Sequence, residues 1–195
     1  SQDNTAKIWE LNSGKQILTL SGHTEAVNSV TFSPDGKRLA TGSYDKTAKI
    51  WDLDSGKETM TFTACVGNGF SCPVKSVAFS PNGKKLATGG GDNIAKIWDL
   101  DSGEKTMTLN GHSNIINSVA FSSDGKRLAT GSQDNTAKIW NLDSGKETLN
   151  LAGHSPHVRS VAFSPVGKRL ATGGEDYIAK IWDLDSGKET MTLNG

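Results

Sequence analysis

The residues of this chain that could do chemistry together are a histidine, a threonine, an aspartate and a tryptophan that recur at fixed spacing. A hydroxyl, an imidazole and a carboxylate are the parts of a nucleophilic triad, in which the histidine removes the hydroxyl proton and the carboxylate orients the histidine. The recurring sets are His23, Thr41, Asp45 and Trp51; His112, Thr130, Asp134 and Trp140; and His154, Thr172, Asp176 and Trp182. An enzyme needs one such site rather than three equivalent ones. We therefore predict a structural role for these sets and no catalytic residue.

The elements that must position these residues are short repeated units. Tryptophan stands at positions 9, 51, 98, 140 and 182, at intervals of 42, 47, 42 and 42 residues. The unit at 22–62 contains four runs of β-prone residues, at 27–32, 37–41, 47–53 and 58–62, separated by turn sequences. No window shows helical periodicity. We therefore predict an all-β protein in which four-stranded antiparallel sheets stack radially on copies of themselves, because a single sheet cannot cover its own apolar faces.

The chain resembles the WD40 family over its whole length. The resemblance rests on the glycine–histidine pair, the Ser-Pro-Asp-Gly turn, the aspartate between strands two and three, and the Ala-Lys-Ile-Trp run that recurs in register. It implies a β-propeller with a half blade at 1–21 and complete blades at 22–62, 63–109, 110–151 and 152–195, the blade at 63–109 carrying a loop insertion. The near-identity of the copies is similar to that of bacterial WD40 arrays.

Four and a half blades do not close a ring neatly, because the half blade lacks strands one and two. We therefore expect the chain to be a piece of a larger propeller, either a fragment or one of several chains that complete one ring. The half blade would then have an unpaired strand edge, and the last blade an uncovered apolar face.

The resemblance assigns each histidine set to a buried hydrogen-bond network that ties the loop before strand one to strands two and three. The third unit departs from this pattern, since Phe70 stands at the position of the histidine and only Thr88, Asp92 and Trp98 remain. We expect either water or Thr88 to satisfy Asp92, or else a looser blade. Two interpretations of the inserted residues at 63–67 stay open: neutral drift, or a raised loop that meets a partner.

Composition excludes several classes of function. The chain has 21 basic and 21 acidic residues, which gives no electrostatic reason to expect a nucleic acid or a membrane as partner. Cys65 and Cys72 leave a local disulfide open, but we expect two reduced thiols and a cytoplasmic location. The repeated Asp-Leu-Asp-Ser-Gly, as at 52–56, lacks the later glycine and glutamate of a calcium loop. We therefore expect neither a metal nor a cofactor.

Positions that vary between repeats cluster around the aspartate turn and the start of strand one, and the resemblance places them on the top face that contacts partners. The candidates are Asn28, Tyr44, Lys46, Lys75, Asn117, Gln133, His157, Arg159, Glu175 and Tyr177. Aromatic and arginine side chains dominate binding hot spots, and the strongest candidates are Tyr44, Tyr177, His157, Arg159 and Lys75. We expect a non-catalytic scaffold or sensor module that binds a protein or peptide, within a larger signalling protein. The alternative is a self-assembling structural propeller, and a ligand site in the central channel ranks third.

Overall fold

The computed structural model describes residues 1–65 and 72–194 of the chain, and in those residues it contains only strands and turns. The described residues include no helix of the length and apolarity needed to cross a membrane. Their eighteen strands are β1 (Thr5–Trp9), β2 (Gln16–Ser21), β3 (Val27–Phe32), β4 (Arg38–Ser43), β5 (Thr47–Asp52), β6 (Glu58–Thr63), β7 (Val74–Phe79), β8 (Lys85–Gly90), β9 (Ala95–Asp99), β10 (Lys105–Leu109), β11 (Ile116–Phe121), β12 (Arg127–Ser132), β13 (Thr136–Asn141), β14 (Glu147–Ala152), β15 (Val158–Phe163), β16 (Arg169–Gly174), β17 (Ile178–Asp183) and β18 (Glu189–Asn194).

The strands form one two-stranded and four four-stranded antiparallel sheets within the described residues, each joining consecutive strands. We call β1–β2 the half blade, and β3–β6, β7–β10, β11–β14 and β15–β18 blades 1 to 4. The fold class predicted from the repeats is confirmed: the protein is all-β, with propeller-type blades. Strands β6 and β14 each run one residue past the predicted blade limits, to Thr63 and Ala152.

The turns follow from the residues that the sequence places between the runs. Gly36 and Gly56 adopt positive φ angles of 70° and 68°, a conformation that glycine reaches without a Cβ clash. The Gly36 amide donates to the Ser33 carbonyl, and the Gly56 amide donates to the Asp52 carbonyl, each at 2.9 Å. These turns reverse the chain tightly enough for consecutive strands to pair.

The hydrophobic cores lie between blades rather than within them. One cluster joins Ile50 and Phe62 of blade 1 to Val74, Val77 and Phe79 of blade 2, and similar clusters join the other neighbours. Fully burying one side chain of this size is worth about 1.5–3 kcal/mol, so each blade depends on its neighbour for most of its stability.

The blades approach each other most closely at a glycine in the second strand. A Cβ atom on Gly131 would lie 2.7 Å from Val158 Cγ1, and one on Gly42 would lie 2.7 Å from Val74 Cγ1. In blade 4 the equivalent Gly173 has no such neighbour among the described residues, where the atom nearest to its Cβ position is Ser160 Cβ at 4.0 Å. The space around this glycine therefore shows whether a neighbouring blade covers that face of the sheet.

The two outer faces of the stack are more exposed than the inner ones. Val30 in β3 faces the half blade and is 56% exposed, whereas the equivalent Val77 in β7 is 5% exposed. At the other end, Met191 and Leu193 of β18 are 53% and 48% exposed. In this chain the covering of a sheet thus depends on whether a full neighbouring blade packs on it.

Candidate partner-binding face

The histidine sets form the same hydrogen-bond network in blades 1, 3 and 4. In blade 1, His23 Nδ1 lies 2.7 Å from Asp45 Oδ2 and His23 Nε2 lies 2.7 Å from Thr41 Oγ1. Trp51 Nε1 donates to the same Thr41 oxygen at 2.9 Å. The equivalent bonds in the other two blades, between the members of the His112 and His154 sets, are 2.7–3.0 Å long. Each network joins the loop before strand one to strands two and three.

The donors in this network fix the direction of each bond and exclude triad chemistry. An ionised Asp45 carboxylate can only accept, so His23 Nδ1 carries the ring proton and donates to it. Nε2 of the neutral ring then accepts from the Thr41 hydroxyl, whose oxygen accepts from the Trp51 N–H. Thr41 is fully buried, so no substrate can reach its hydroxyl. The arrangement orients the loops of the blade and offers no accessible nucleophile.

Burial and hydrogen bonding shift the titration of this network. Burial lowers the pKa of His23 and of His112 below the ordinary value of 6.5, and the attraction of Asp45 and Asp134 only partly opposes it. Burial alone would raise the pKa of Asp45, but the hydrogen bonds from Thr47 and His23 outweigh it and hold that pKa below 3.8. The folded blade therefore favours a neutral histidine beside an ionised aspartate.

Blade 2 satisfies its aspartate in a way that sequence reasoning did not foresee. Trp98 Nε1 still donates to Thr88 Oγ1, at 3.0 Å, but Asp92 Oδ2 accepts a short hydrogen bond from the buried ammonium group of Lys96. Lys96, which was not among the expected partners of Asp92, therefore binds the carboxylate, and Thr88 binds Trp98 instead. Phe70 lies outside the described residues.

Lys96 is available to Asp92 because its usual partner is absent. In blade 1 the equivalent Lys49 binds Glu58 across the strand pair at 2.8 Å, and blades 3 and 4 repeat this pair. Blade 2 has Lys105 at the position of that glutamate. A lysine cannot pair with a lysine, so Lys96 turns to the aspartate. The half blade behaves in the same way, with Lys7 on Asp3 at 2.9 Å.

The two cysteines of blade 2 form a disulfide, which contradicts the expectation of reduced thiols. Cys65 and Cys72 have Cα atoms 6.1 Å apart, a separation within the usual range for a disulfide. Both are buried, and their sulfur atoms lie close to the carboxylate of Asp92. Sequence spacing alone could not decide the pairing, because residues seven apart in a loop can be near or far.

Four of the candidate binding residues occupy one structural position, a β-bulge at the start of strand one. Strand β3 pairs Val27 with Ser43 and Ser29 with Gly42, which leaves Asn28 without a cross-strand partner. Blades 2, 3 and 4 shift register at the same place, where Lys75, Asn117 and Arg159 stand. A bulge re-aims a side chain, so the fold presents this position in the same way in every blade.

Most of the remaining candidates lie in the turn between strands two and three, beside the bulge. Tyr44, Gln133 and Glu175 precede the aspartate, and the amide of each donates to a carbonyl at the start of strand one, at 2.9–3.0 Å. Lys46 and Tyr177 follow the aspartate and adopt positive φ angles of 71° and 61°. The two sets of candidates therefore lie on one face of the blades.

The structure brings several candidates into contact between blades. Lys75 of blade 2 donates to the Tyr44 hydroxyl of blade 1 at 2.7 Å, and its ammonium lies 4.4 Å from the centre of that ring. His157 Nδ1 of blade 4 lies 2.9 Å from the Gln133 carbonyl oxygen of blade 3. Tyr177 is 87% exposed. We call the surface on which the ten candidates lie the top face.

Other top-face contacts tie candidates together or to the backbone. Asn28 and Asn117 donate to the Val74 and Val158 carbonyls of the next blade, at 3.1 and 2.9 Å. Arg159 donates to Glu175 within blade 4. Asn135, which follows the aspartate at the position equivalent to Lys46 and Tyr177, accepts from the His157 amide at 2.8 Å.

The family profile described as "WD domain, G-beta repeat" matches four stretches that together make up most of the chain: 14–52, 56–99, 103–141 and 145–183. Each stretch begins near the fourth strand of one blade and ends with the third strand of the next. The profile and the blades therefore describe the same repeat, but the profile starts it near the fourth strand and the blade starts it at the first.

Individual relatives match over about one repeat. The chain is 49% identical over 41 residues to coronin-7 of Mus musculus, a match that covers 21% of this chain and 4% of that protein. It is 56% identical over 39 residues to ribosome assembly protein 4 of Chaetomium thermophilum, covering 20% and 8%. It is 46% identical over 48 residues to the ribosome biogenesis protein WDR12 homolog of Drosophila persimilis, covering 23% and 12%. The chain thus spans a small part of the length of these relatives.

Proposed function

The chain belongs to the WD40 family, whose members are generally non-catalytic protein-interaction scaffolds, and on that premise we propose that it binds a protein or peptide through the top face. The observation that carries the proposal is the contrast between a constant frame and variable side chains. The bulge places a residue in the same position in every full blade, yet that residue is Asn28, Lys75, Asn117 or Arg159. The fold does not require any one of these side chains there, so they are free to serve recognition.

The chemistry of the top face suits a polar or mixed partner surface. It combines Tyr177, nearly fully exposed, with Arg159 and Glu175, and with the Tyr44–Lys75 pair. Aromatic and arginine side chains supply much of the energy in protein interfaces. The contacts between blades also hold several of these side chains in place before binding, which reduces the entropy lost on association.

The relatives limit how far the proposal extends. Two of them are named for ribosome assembly or biogenesis, but the chain matches no more than 12% of the length of either. We take from them only the general role of a protein-binding part within a larger assembly. The finer proposal, a scaffold or sensor module of a larger signalling protein, rests on the sequence patterns and not on the names of these relatives.

A peptide-binding selection tests the top face directly. Peptides selected from a random library on the wild-type chain are titrated against the triple variant Tyr44→Ala, Arg159→Ala, Tyr177→Ala. We expect an affinity loss of at least about tenfold, because each hot-spot truncation costs more than about 1 kcal/mol. The matched control is Lys57→Ala, Lys146→Ala, Lys188→Ala on the exposed turns before the fourth strands. Equal losses in both variants, or no loss in the first, would contradict the proposal.

A second function, self-assembly, is favoured by the exposed outer faces of the stack. Met191 and Leu193 are half exposed at one end, and Val30 and Phe32 are half exposed at the other. Faces of this kind are covered between all the inner blades of the chain. Light scattering after size-exclusion chromatography distinguishes the two: assembly predicts a mass that rises with concentration, and Met191→Lys with Leu193→Lys should abolish the rise.

A further inference from the structure

We propose that, once its disulfide is reduced, blade 2 binds a thiophilic divalent cation such as Zn²⁺ through Cys65, Cys72 and Asp92. The two sulfur atoms and one carboxylate oxygen lie within 4.8 Å of one another. Thiolate sulfur and carboxylate oxygen are both atoms that zinc binds in proteins. The proposal goes beyond partner binding, and it differs from the sequence expectation that the chain has no metal site.

The site lies where the other full blades keep their histidine. Thr88 and Asp92 are the two residues that an imidazole would bridge, and in blade 2 they border a cavity of about 10 Å³ that Cys65 and Cys72 also line. A cavity of that size is at the limit for one water molecule and is ample for a bare cation. Cys65 is 9% exposed and Cys72 is 6% exposed, so solvent would compete little for their ligand positions.

The distances suit a tetrahedral cation after a small rearrangement. With Zn–S bonds of about 2.3 Å and Zn–O bonds of about 2.0–2.2 Å, two ligand atoms on one tetrahedral zinc lie about 3.5–3.8 Å apart. Breaking the S–S bond lets the sulfur atoms separate to that distance. The carboxylate oxygen, within 4.8 Å of both sulfur atoms, has to approach them by no more than about 1 Å. The three protein ligands leave one position for a water molecule.

The exchange conserves charge, which avoids an electrostatic penalty in a buried place. A dithiol reductant supplies two electrons and two protons to the disulfide, giving two thiols and the oxidised reductant. A divalent cation then replaces the two thiol protons, which are released, so the buried charge does not change. The ammonium group of Lys96, already bonded to Asp92 and to the Ala64 carbonyl, balances the carboxylate in both states. An unbalanced charge would be costly there.

Cadmium titration of the full chain tests the site, because thiolate-bound cadmium has an ultraviolet charge-transfer band. The chain contains only two cysteines, so the band has one origin. We expect the reduced chain to bind one cadmium ion per chain with this band, zinc to displace the cadmium, and the oxidised chain to give no band. The oxidised chain is a control that needs no mutation and keeps its fold.

Three variants assign the ligands. Cys65→Ser and Cys72→Ser should each abolish the one-to-one band, and Asp92→Asn should weaken cadmium binding at least about tenfold, since even loss of an outer-shell partner costs 10–100-fold. Lys57→Ala, in an exposed turn of blade 1, should change nothing. The proposal is overturned if the reduced chain gives no band, if it binds one cadmium per two chains, or if Asp92→Asn binds as tightly as wild type.

Discussion

The buried histidine joins the loop before strand one to strands two and three in three of the four full blades, and in each of them it is held by two partners. His23 and His112 each accept from a threonine and donate to an aspartate. Burial lowers the pKa values of both histidines, and this favours the neutral ring that can accept from the threonine and donate to the aspartate.

Stability should fall as the pH drops from 7 to 5. The pKa values of His23 and His112 are lowered below 6.5 in the folded chain, so below that pH the unfolded chain binds protons that the folded chain does not. Each histidine then removes up to about 1.4 kcal/mol of unfolding free energy per pH unit. Urea unfolding at several pH values measures the slope. The lowered pKa values of Asp45 and Asp134 add a further loss only below about 3.8.

The variant His23→Gln should show about half of the slope that the two histidines contribute, since one titrating group is gone. The substitution will also lower the free energy of unfolding at pH 7. Wild type and variant are therefore compared by how this free energy changes with pH, and not by its size at one pH. A flat profile between pH 7 and 5 in the wild type, or an unchanged slope in His23→Gln, would show that these histidines do not control acid unfolding.

The sequence predicts the histidine network well but does not predict how Asp92 is paired in blade 2. The difference is whether the pairing follows from a repeated spacing along the chain. The histidine sets recur three times at fixed spacing, so they can be recognised in the sequence. The ion pair between Lys96 and Asp92 arises because Lys105 stands where a glutamate stands in the other full blades, and that is a relation across a strand pair. Side-chain choices of this kind depend on register, which repeats do not display.

Among the elements, the turn between strands two and three carries backbone strain at only some copies. Asparagine, which tolerates positive φ, follows the aspartate at Asn4, Asn93 and Asn135, whereas Lys46 and Tyr177 adopt the same conformation. Strained residues tend to be kept where they serve a function. Tyr177 fits that rule, because it is strained, exposed and part of the top face.

Replacing the strained residues should stabilise the chain. Lys46→Asn and Tyr177→Asn should each raise the free energy of unfolding by about 0.5–1 kcal/mol, because asparagine adopts this conformation at lower cost. The control is Asn93→Lys, which imposes the cost at a third copy with a φ of 65° and should lower stability by a similar amount. Thermal unfolding measures all three. If Asn93→Lys were neutral, backbone strain would not explain the other two.

At the scale of the element, the strands were predictable and the bulges were not. Short β-prone runs and turn residues place the strands to within one or two residues. The bulge at Asn28 leaves no mark on the sequence pattern, since a bulged strand contains the same residue types as a regular one. The candidate face was located through the variability of its residues, and the structure supplies the shared backbone position that explains it.

At the scale of the whole molecule, stability comes from blade pairs. The apolar clusters each draw on two neighbouring sheets, so the chain behaves as a linear array in which each unit is stabilised mainly by the next. The two ends of the array are then the least stable parts, and they expose the apolar residues that inner blades cover. A substitution at equivalent positions of an inner and an outer blade should therefore have different effects.

The glycine of the second strand measures this difference, because blades 3 and 4 share the sequence RLATG there. Gly131→Ala should destabilise the chain by about 1–3 kcal/mol, since its Cβ would lie 2.7 Å from Val158 and 2.9 Å from Val161. Gly173→Ala should be neutral within about 0.5 kcal/mol, as nothing lies closer than 4.0 Å. Denaturant unfolding at low protein concentration measures both.

Self-assembly would change the result for Gly173→Ala. If another chain covers blade 4, Gly173→Ala should weaken association and destabilise the protein only at high protein concentration. Equal destabilisation by both variants at every concentration would instead contradict the view that the neighbouring blade makes this glycine necessary.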